Sequence, residues 1–459
     1  MIKVLLILTL SLMSFSGFAK TDDKKTTSGR KIANEVNNWN SQLLACKNKT
    51  QFADFLKTLS LSQSTSIETR FYQSLFLPLI PMEGIVARTA RISDKARGFE
   101  GLEIQLFRLL YKKTPAKVKH WTAFLDYLTV PTGSTFNTIS DMQTHFAKDV
   151  APQVIASVRT LNGLIAEGNS GSLSLSLDLA LVIGEFNVSR LRAKERRDFS
   201  VTLAELYLIK GYYERFLGLG YYLSSYNLDG ATALSQEIGQ KYLAQMLVGK
   251  AFAFPLFSSK DLSAQLEEPS LAGLFVLKDK TNSANHPLKL AFQAFKDSNT
   301  SLIDAVKQMS MQTSAGRFFK LEAPILAVDD LVEDRLKINQ SLLSATGAVR
   351  VEDDLYTNAG VEVNLSQLFD PTNSRIHDLK KLFPNSSKHY TTLTNAWTDH
   401  GGDQIAPNYY LGKKVGLPDP TLGGVLPKIK SLDGLIEAER VLERRQIGLP
   451  LLAWMELFI

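Results

Sequence analysis

The chain has 459 residues, of which 44% are hydrophobic and 21% charged, and its formal net charge is +6 at pH 7. These proportions exclude a collagen-like or generally disordered chain, and the mild positive excess favours anionic surfaces without marking a nucleic-acid binder. The single cysteine, Cys46, excludes an internal disulfide and a cysteine-based metal cluster.

The chain begins MIKVLLILTLSLMSFSGFAK. Lys3 gives a basic start, Val4 to Met13 an apolar run, and Gly17 and Ala19 small residues at −3 and −1 of a cleavage after Ala19. The pattern predicts a signal peptide over 1–19 and export to the periplasm, cell envelope or exterior. A membrane anchor is the alternative, but the run is short for a hydrocarbon core of about 30 Å and a polar stretch follows it. Residues 20–30, KTDDKKTTSGR, carry no apolar anchor and read as a flexible leader.

Residues 31–347 read as a helical body. Ile32, Val36, Trp39, Leu43 and Cys46 step by 4, 3, 4 and 3, which puts the thiol on an apolar helix face as a buried, inert group. Thr50 is placed to cap a second helix bearing Phe52, Phe55, Leu56 and Leu59. Pro78 and Pro81 then break the run LFLPLIP, which reads as core or as a loop tucked under helices. Further helices are expected around Leu102–Leu110, around Val118–Leu128, and from Pro152 through Ile165, with Gly168 as the C-terminal stop.

The stretch GSLSLSLDLALV alternates strictly at Leu173, Leu175, Leu177, Leu179 and Leu181. It predicts a strand near 172–182, paired with a second near 199–203 and laid on the helices, since an isolated ribbon is barely stable. An irregular helix start is the alternative, because leucine favours helix over strand. The basic segment Arg190, Arg192, Lys194, Arg196 and Arg197 lies between the two. It reads as a solvated connection or as a surface for an anionic partner. The longest helix is then expected over Leu206–Leu223. Gly211 and Gly218 share one of its faces, a spacing that suits a closely approaching backbone. YNLDGATAL turns the chain into another helix.

Residues 348–459 read as loop-rich, with a short alternating piece near 361–365 followed by a short helix. Loops dominate 399–428, and a last helix is expected over about Ser431–Arg445. The apolar end, LPLLAWMELFI, either packs back onto the body or docks a partner.

Phosphate loops, the nucleophile elbow and paired-histidine zinc helices have no match. Asp141, His145 and Asp149 fall at i, i+4 and i+8. The outer two are about 12 Å apart along a helix, too far for one ion, so salt-bridge or capping roles are expected. His400, in TDHGGDQ, sits in a turn-like segment that could hold a catalytic water. The acidic groups Asp329–Asp330–Glu333–Asp334 and Glu352–Asp353–Asp354, with Glu205 and Glu214, offer carboxylates for sugar chemistry or plain solvated faces.

The segments DFSVTLAELYLIKGYYERFLGLGYYLSSYNLD and LPDPTLGGVLP are similar to exported bacterial helical proteins, some of them tetratricopeptide-like. The resemblance implies a helical envelope protein and no particular reaction. The expectation is therefore a mainly α, multi-helix array or bundle with short β-ribbon elements. It is expected to bind or scaffold in the cell envelope, with an envelope protein or anionic surface as partner. No nucleic acid, cofactor, metal or further membrane span is expected. The alternative is an envelope hydrolase using carboxylates or a His400-centred site.

Overall fold

The structure, a computed structural model, describes residues 39–94, 119–171, 173, 175–178, 198–231, 234, 268–311, 336–353, 360–382, 385–392, 414–416 and 419–445. The signal and leader patterns, the helix expected near 102–110, the basic segment 190–197, His400 and the apolar end lie outside them.

α1 (Trp39–Ala45) buries Trp39 completely, and its Nε1–H donates to Thr69 Oγ1 at 3.0 Å. Cys46 is buried just after it, and burial pushes its thiol up to about 11, which keeps it protonated and inert. α2 (Lys49–Leu61) buries Phe52, Phe55, Leu56 and Leu59 as their spacing requires. Its cap is Asn48 rather than Thr50: the Asn48 side chain accepts from Gln51 N, leaving Thr50 inside the first turn. α3 (Ile67–Phe76) is capped by Ser66. The two prolines then force Leu77–Met82 into a 3-10 turn, with Pro78 and Met82 buried. α4 (Ile85–Asp94) and α5 (Lys119–Thr129) follow, and α5 buries Leu125 and Leu128 against α2.

α6 (Ile139–His145) runs through one π-helical turn, Phe146–Val150, straight into α7 (Ala151–Asn169). Pro152 sits in the first turn of α7, where its missing N–H is tolerated. The stop comes slightly later than Gly168: Ser170 caps the helix and Gly171, at φ +80°, takes the left-handed conformation.

The ribbon is real but shorter than the leucine alternation suggests. Among the described residues β1 is Ser176–Asp178 and β2 is Asp198–Ser200, antiparallel with Leu177 opposite Phe199. Leu175 and Val201 flank the pair and bury into the helices, so the ribbon is laid on the body. Leu203, expected in the strand, is instead the first residue of α8 (Leu203–Ser225). Thr202 and Glu205 form a capping box that starts the helix there.

α8 packs antiparallel along α9 (Pro287–Met311), the most extensive helix–helix contact among the described residues. α9, at 25 residues, exceeds the 23 of α8, so the helix expected to be longest is not the longest among the described residues. Gly211 faces Leu302 and the Ser298 carbonyl, while Gly218 faces the Phe295 ring. A Cβ at either would lie 2.9–3.0 Å from these side chains, the close approach their spacing predicted.

Two hydrophobic clusters divide the body. One gathers α1 to α7, the ribbon flanks and the N-terminal part of α8, with Ala294 from α9. The other begins at Tyr226 and takes Leu288 and Ala291 of α9, Leu342, and much of 351–442. Leu342 and Val351, on either side of position 347, share this second cluster.

In the second cluster β3 (Val349–Glu352) pairs antiparallel with β4 (Gly360–Val363), with Val351 opposite Val361. Val351, Val361 and Val363 point inward, and Arg350, Glu352 and Glu362 outward. The expected strand thus ends at 363. The short helix after it is replaced by 3-10 turns at Leu365–Leu368, Ser374–Ile376 and Leu379–Leu382. A further antiparallel pair joins β5 (Asn385–Thr392) to β6 (Lys414–Gly416), and β6 lies inside 399–428, where loops are expected. α10 (Leu432–Arg444) closes the described chain close to its expected bounds. The fold is mainly α with small two-stranded sheets. No described helix is long and apolar enough to cross a membrane.

At Gly220 a Cβ would fall 1.9 Å from the Phe146 ring. Overpacking of this kind costs about 1–3 kcal/mol, more than the roughly 1 kcal/mol of helix propensity alanine returns. Gly220→Ala should therefore lower the urea midpoint, and adding Phe146→Leu should recover part of the loss. Gly347→Ala, where a Cβ meets nothing within 4 Å, should leave the midpoint unchanged.

Candidate functional site

The prolines that prevent an α-helix at Leu77–Met82 also leave carbonyls without helical partners. Tyr127 Oη donates to the Ile80 carbonyl at 3.0 Å, and His145 Nε2 lies 2.8 Å from the Pro81 carbonyl. The other ring nitrogen, Nδ1, is 2.6 Å from Asp149 Oδ2. Each ring nitrogen thus lies within hydrogen-bond distance of an oxygen. His145 itself is only 9% exposed, whereas the Asp149 side chain is 55% exposed.

These residues border an open cleft of about 560 Å³. It is lined by the proline turn (Ile80, Pro81, Glu83), by His145, Lys148, Asp149 and Pro152, and by Arg88 and Thr132–Gly133. Arg88 is fixed in place. Its backbone carbonyl accepts from Phe136 N at 2.8 Å, and its Nε donates to the Ser134 carbonyl at 3.2 Å. Its guanidinium carbon lies 4.3 Å from the Phe136 ring centre, a cation–π contact. Nη1 is 3.4 Å from His145 Nε2. Glu83 is paired with Lys49 at 3.2 Å.

The Asp141–His145–Asp149 set is helical as its spacing required, and its members do separate jobs. Asp141 closes a capping box with Thr138, accepting from Asn137 N and Thr138 N. Those backbone donors hold its carboxyl below the usual carboxylate range. Asp149 pairs with His145. This is the capping and salt-bridge outcome the spacing predicted. Among the described residues no group of three or more His, Cys, Asp or Glu side chains is placed to hold a metal ion.

Glu205 and Glu214 neither line this cleft nor face solvent; both are buried, at 5% and 6% exposure. Glu205 accepts from Thr202 N and Thr202 Oγ1 at the start of α8. Glu214 pairs with Lys210 at 2.9 Å and accepts from Ser301 Oγ at 2.7 Å, and Lys210 Nζ also donates to Ser301 Oγ at 2.7 Å. Ser301 is 1% exposed, so the cluster clamps α8 to α9 and admits no substrate. Burial raises the Glu214 carboxyl, against the lowering pull of Lys210 and Ser301. Among the remaining carboxylates Glu352 pairs with Arg350 at 2.6 Å and Asp353 is buried. Asp329, Asp330, Glu333, Asp334, Asp354, His400 and the basic residues Arg190, Arg192, Lys194, Arg196 and Arg197 lie outside the described residues.

Arg88 and Lys148 were not legible as site residues. No spacing joins Arg88 to Phe136 or His145, and only the proline pair hinted at free carbonyls nearby.

Because burial raises the Glu214 carboxyl, the folded state holds its proton to higher pH than the unfolded chain, whose carboxyl titrates near 4.5. Its contribution is therefore fully present below 4.5 and declines as pH rises through the folded value. Urea unfolding of wild type and Glu214→Gln across pH 4–8 should give a stability difference that falls with rising pH. A flat difference would remove this assignment.

The chain matches no protein-family model, no curated protein and no solved structure.

Proposed function

We propose that this protein is an exported, non-enzymatic helical protein that binds or scaffolds in the bacterial cell envelope. The signal-like start supports export. The observation that carries the binding role is the cleft beside His145. Apolar, cationic and acidic side chains border open space, while both ring nitrogens of its histidine are already engaged. Such an arrangement suits holding a ligand more than moving a proton. The Lys210–Glu214–Ser301 cluster, with Glu214 and Ser301 buried, likewise serves packing. The segment Arg190–Arg197 is the proposed contact with an anionic envelope surface, and tetratricopeptide-like helix pairing is part of the same reading.

Expression of the full chain should yield a mature form beginning at Lys20, recovered with the periplasm or envelope and cross-linked there to an envelope partner. Reversing charge at Arg192, Arg196 and Arg197 together should reduce envelope association several-fold. Unchanged fractionation would remove the basic-surface role, and an unprocessed cytosolic chain would remove the export reading altogether.

A further inference from the structure

Binding needs a ligand chemistry, and the cleft beside His145 supplies one. We propose that it is a site for a small organic acid, whose oxyanion meets the Arg88 guanidinium and whose apolar body lies along Ile80, Pro81 and Pro152. The inference rests on the binding-protein reading only for its setting.

Charge comes first. Each carboxylate bordering the cleft has a cationic or ring partner: Glu83 has Lys49 and Asp149 has His145. Arg88 and the exposed Lys148 have no carboxylate within ion-pair distance among the described residues. Arg88 is therefore a cation at the cleft that an incoming anion could pair with directly.

Preorganisation comes second. Arg88 is held by its stack on Phe136, its Nε bond to the Ser134 carbonyl and the backbone bond from Phe136. None of these contacts uses Nη2. A planar guanidinium fixed on one edge presents its remaining N–H groups in a geometry that suits carboxylate or phosphate oxygens. Little side-chain freedom remains to be lost when the anion arrives.

Size and apolarity come third. About 560 Å³ falls within the ~300–1,000 Å³ range of small-molecule sites. Ile80 is one of the few large hydrophobic side chains exposed among the described residues, at 36%, and it lies beside Pro81. Pro152 adds apolar surface to the lining. That wall offers nothing to a bare phosphate ion and a place to a hydrocarbon chain or ring.

Titration calorimetry of the mature chain with octanoate and, separately, with inorganic phosphate tests this. Octanoate should bind saturably at one site and phosphate at least tenfold more weakly. Arg88→Gln should weaken octanoate binding tenfold or more, Lys148→Gln about threefold, and Lys57→Gln on α2 not at all. Circular dichroism checks that each variant folds. Should Arg88→Gln fail to fold, Ile80→Glu places a negative charge on an exposed wall and should abolish octanoate binding. The proposal is overturned by absent saturable octanoate binding, by phosphate binding equally tightly, or by octanoate binding that folded Arg88→Gln or Ile80→Glu leaves unchanged. Envelope recovery without octanoate binding would sink this site alone. Octanoate binding by a chain that stays unprocessed in the cytosol would sink only the export reading.

Discussion

The close antiparallel approach of α8 and α9 is the constraint on which the rest of the described structure depends. Two glycines on one face of α8 let Leu302 and Phe295 sit where a Cβ would otherwise be. The Ser298 hydroxyl donates to the Gly211 carbonyl at 2.7 Å across the same seam, and the half-buried Lys210 joins the buried Glu214 and Ser301 in a polar clamp. The seam therefore specifies one register as well as holding two helices. Along its length the first core passes into the second: Phe216 and Leu217 belong to the first cluster and Tyr226 to the second.

Side-chain ties reinforce this passage. The Gln143 amide of α6 donates to the Leu223 and Tyr226 carbonyls at the end of α8, and Lys278 Nζ donates to the Gln143 side-chain oxygen. Asp229 accepts from Ser140 N and Ser140 Oγ. α6 is thus pinned to the point where α8 ends, and the π turn after it sets the cleft side chains His145, Lys148 and Asp149 opposite the proline turn. The cleft is built from backbone irregularities on both sides. Prolines expose carbonyls on one, and a widened helical turn displaces side chains on the other.

Local physics made much of the chain readable. The stripes of α2, α5 and α8 came from apolar spacing, and α10 was bounded within a residue or so. The glycine pair on α8 signalled a close neighbour because a helix rarely tolerates two glycines without one. Other features were misjudged where two local signals competed. Leu203 continued an alternating pattern, yet the Thr202–Glu205 capping box outweighed it and began a helix. Gly168 looked like a terminus, but Gly171 was the residue that took the positive φ. α9 passed unremarked because serine, asparagine and threonine interrupt its stripe. Those same residues, Ser298, Asn299 and Ser301, turned out to be buried against neighbouring helices.

What the sequence determined by itself is the α-rich class, the apolar faces, the inert buried thiol and the division of labour along the Asp141–His145–Asp149 face. Each depends on residues close together in the chain, where helix and strand periodicity decide which way a side chain points. Which helix lies against Gly211, why Glu214 is buried, and how Arg88 comes to rest on Phe136 beside His145 were settled only by tertiary packing. These contacts join residues dozens of positions apart, and no local preference encodes a long-range distance. The candidate site is made of such contacts, which is why its residues looked like ordinary surface until the chain was folded.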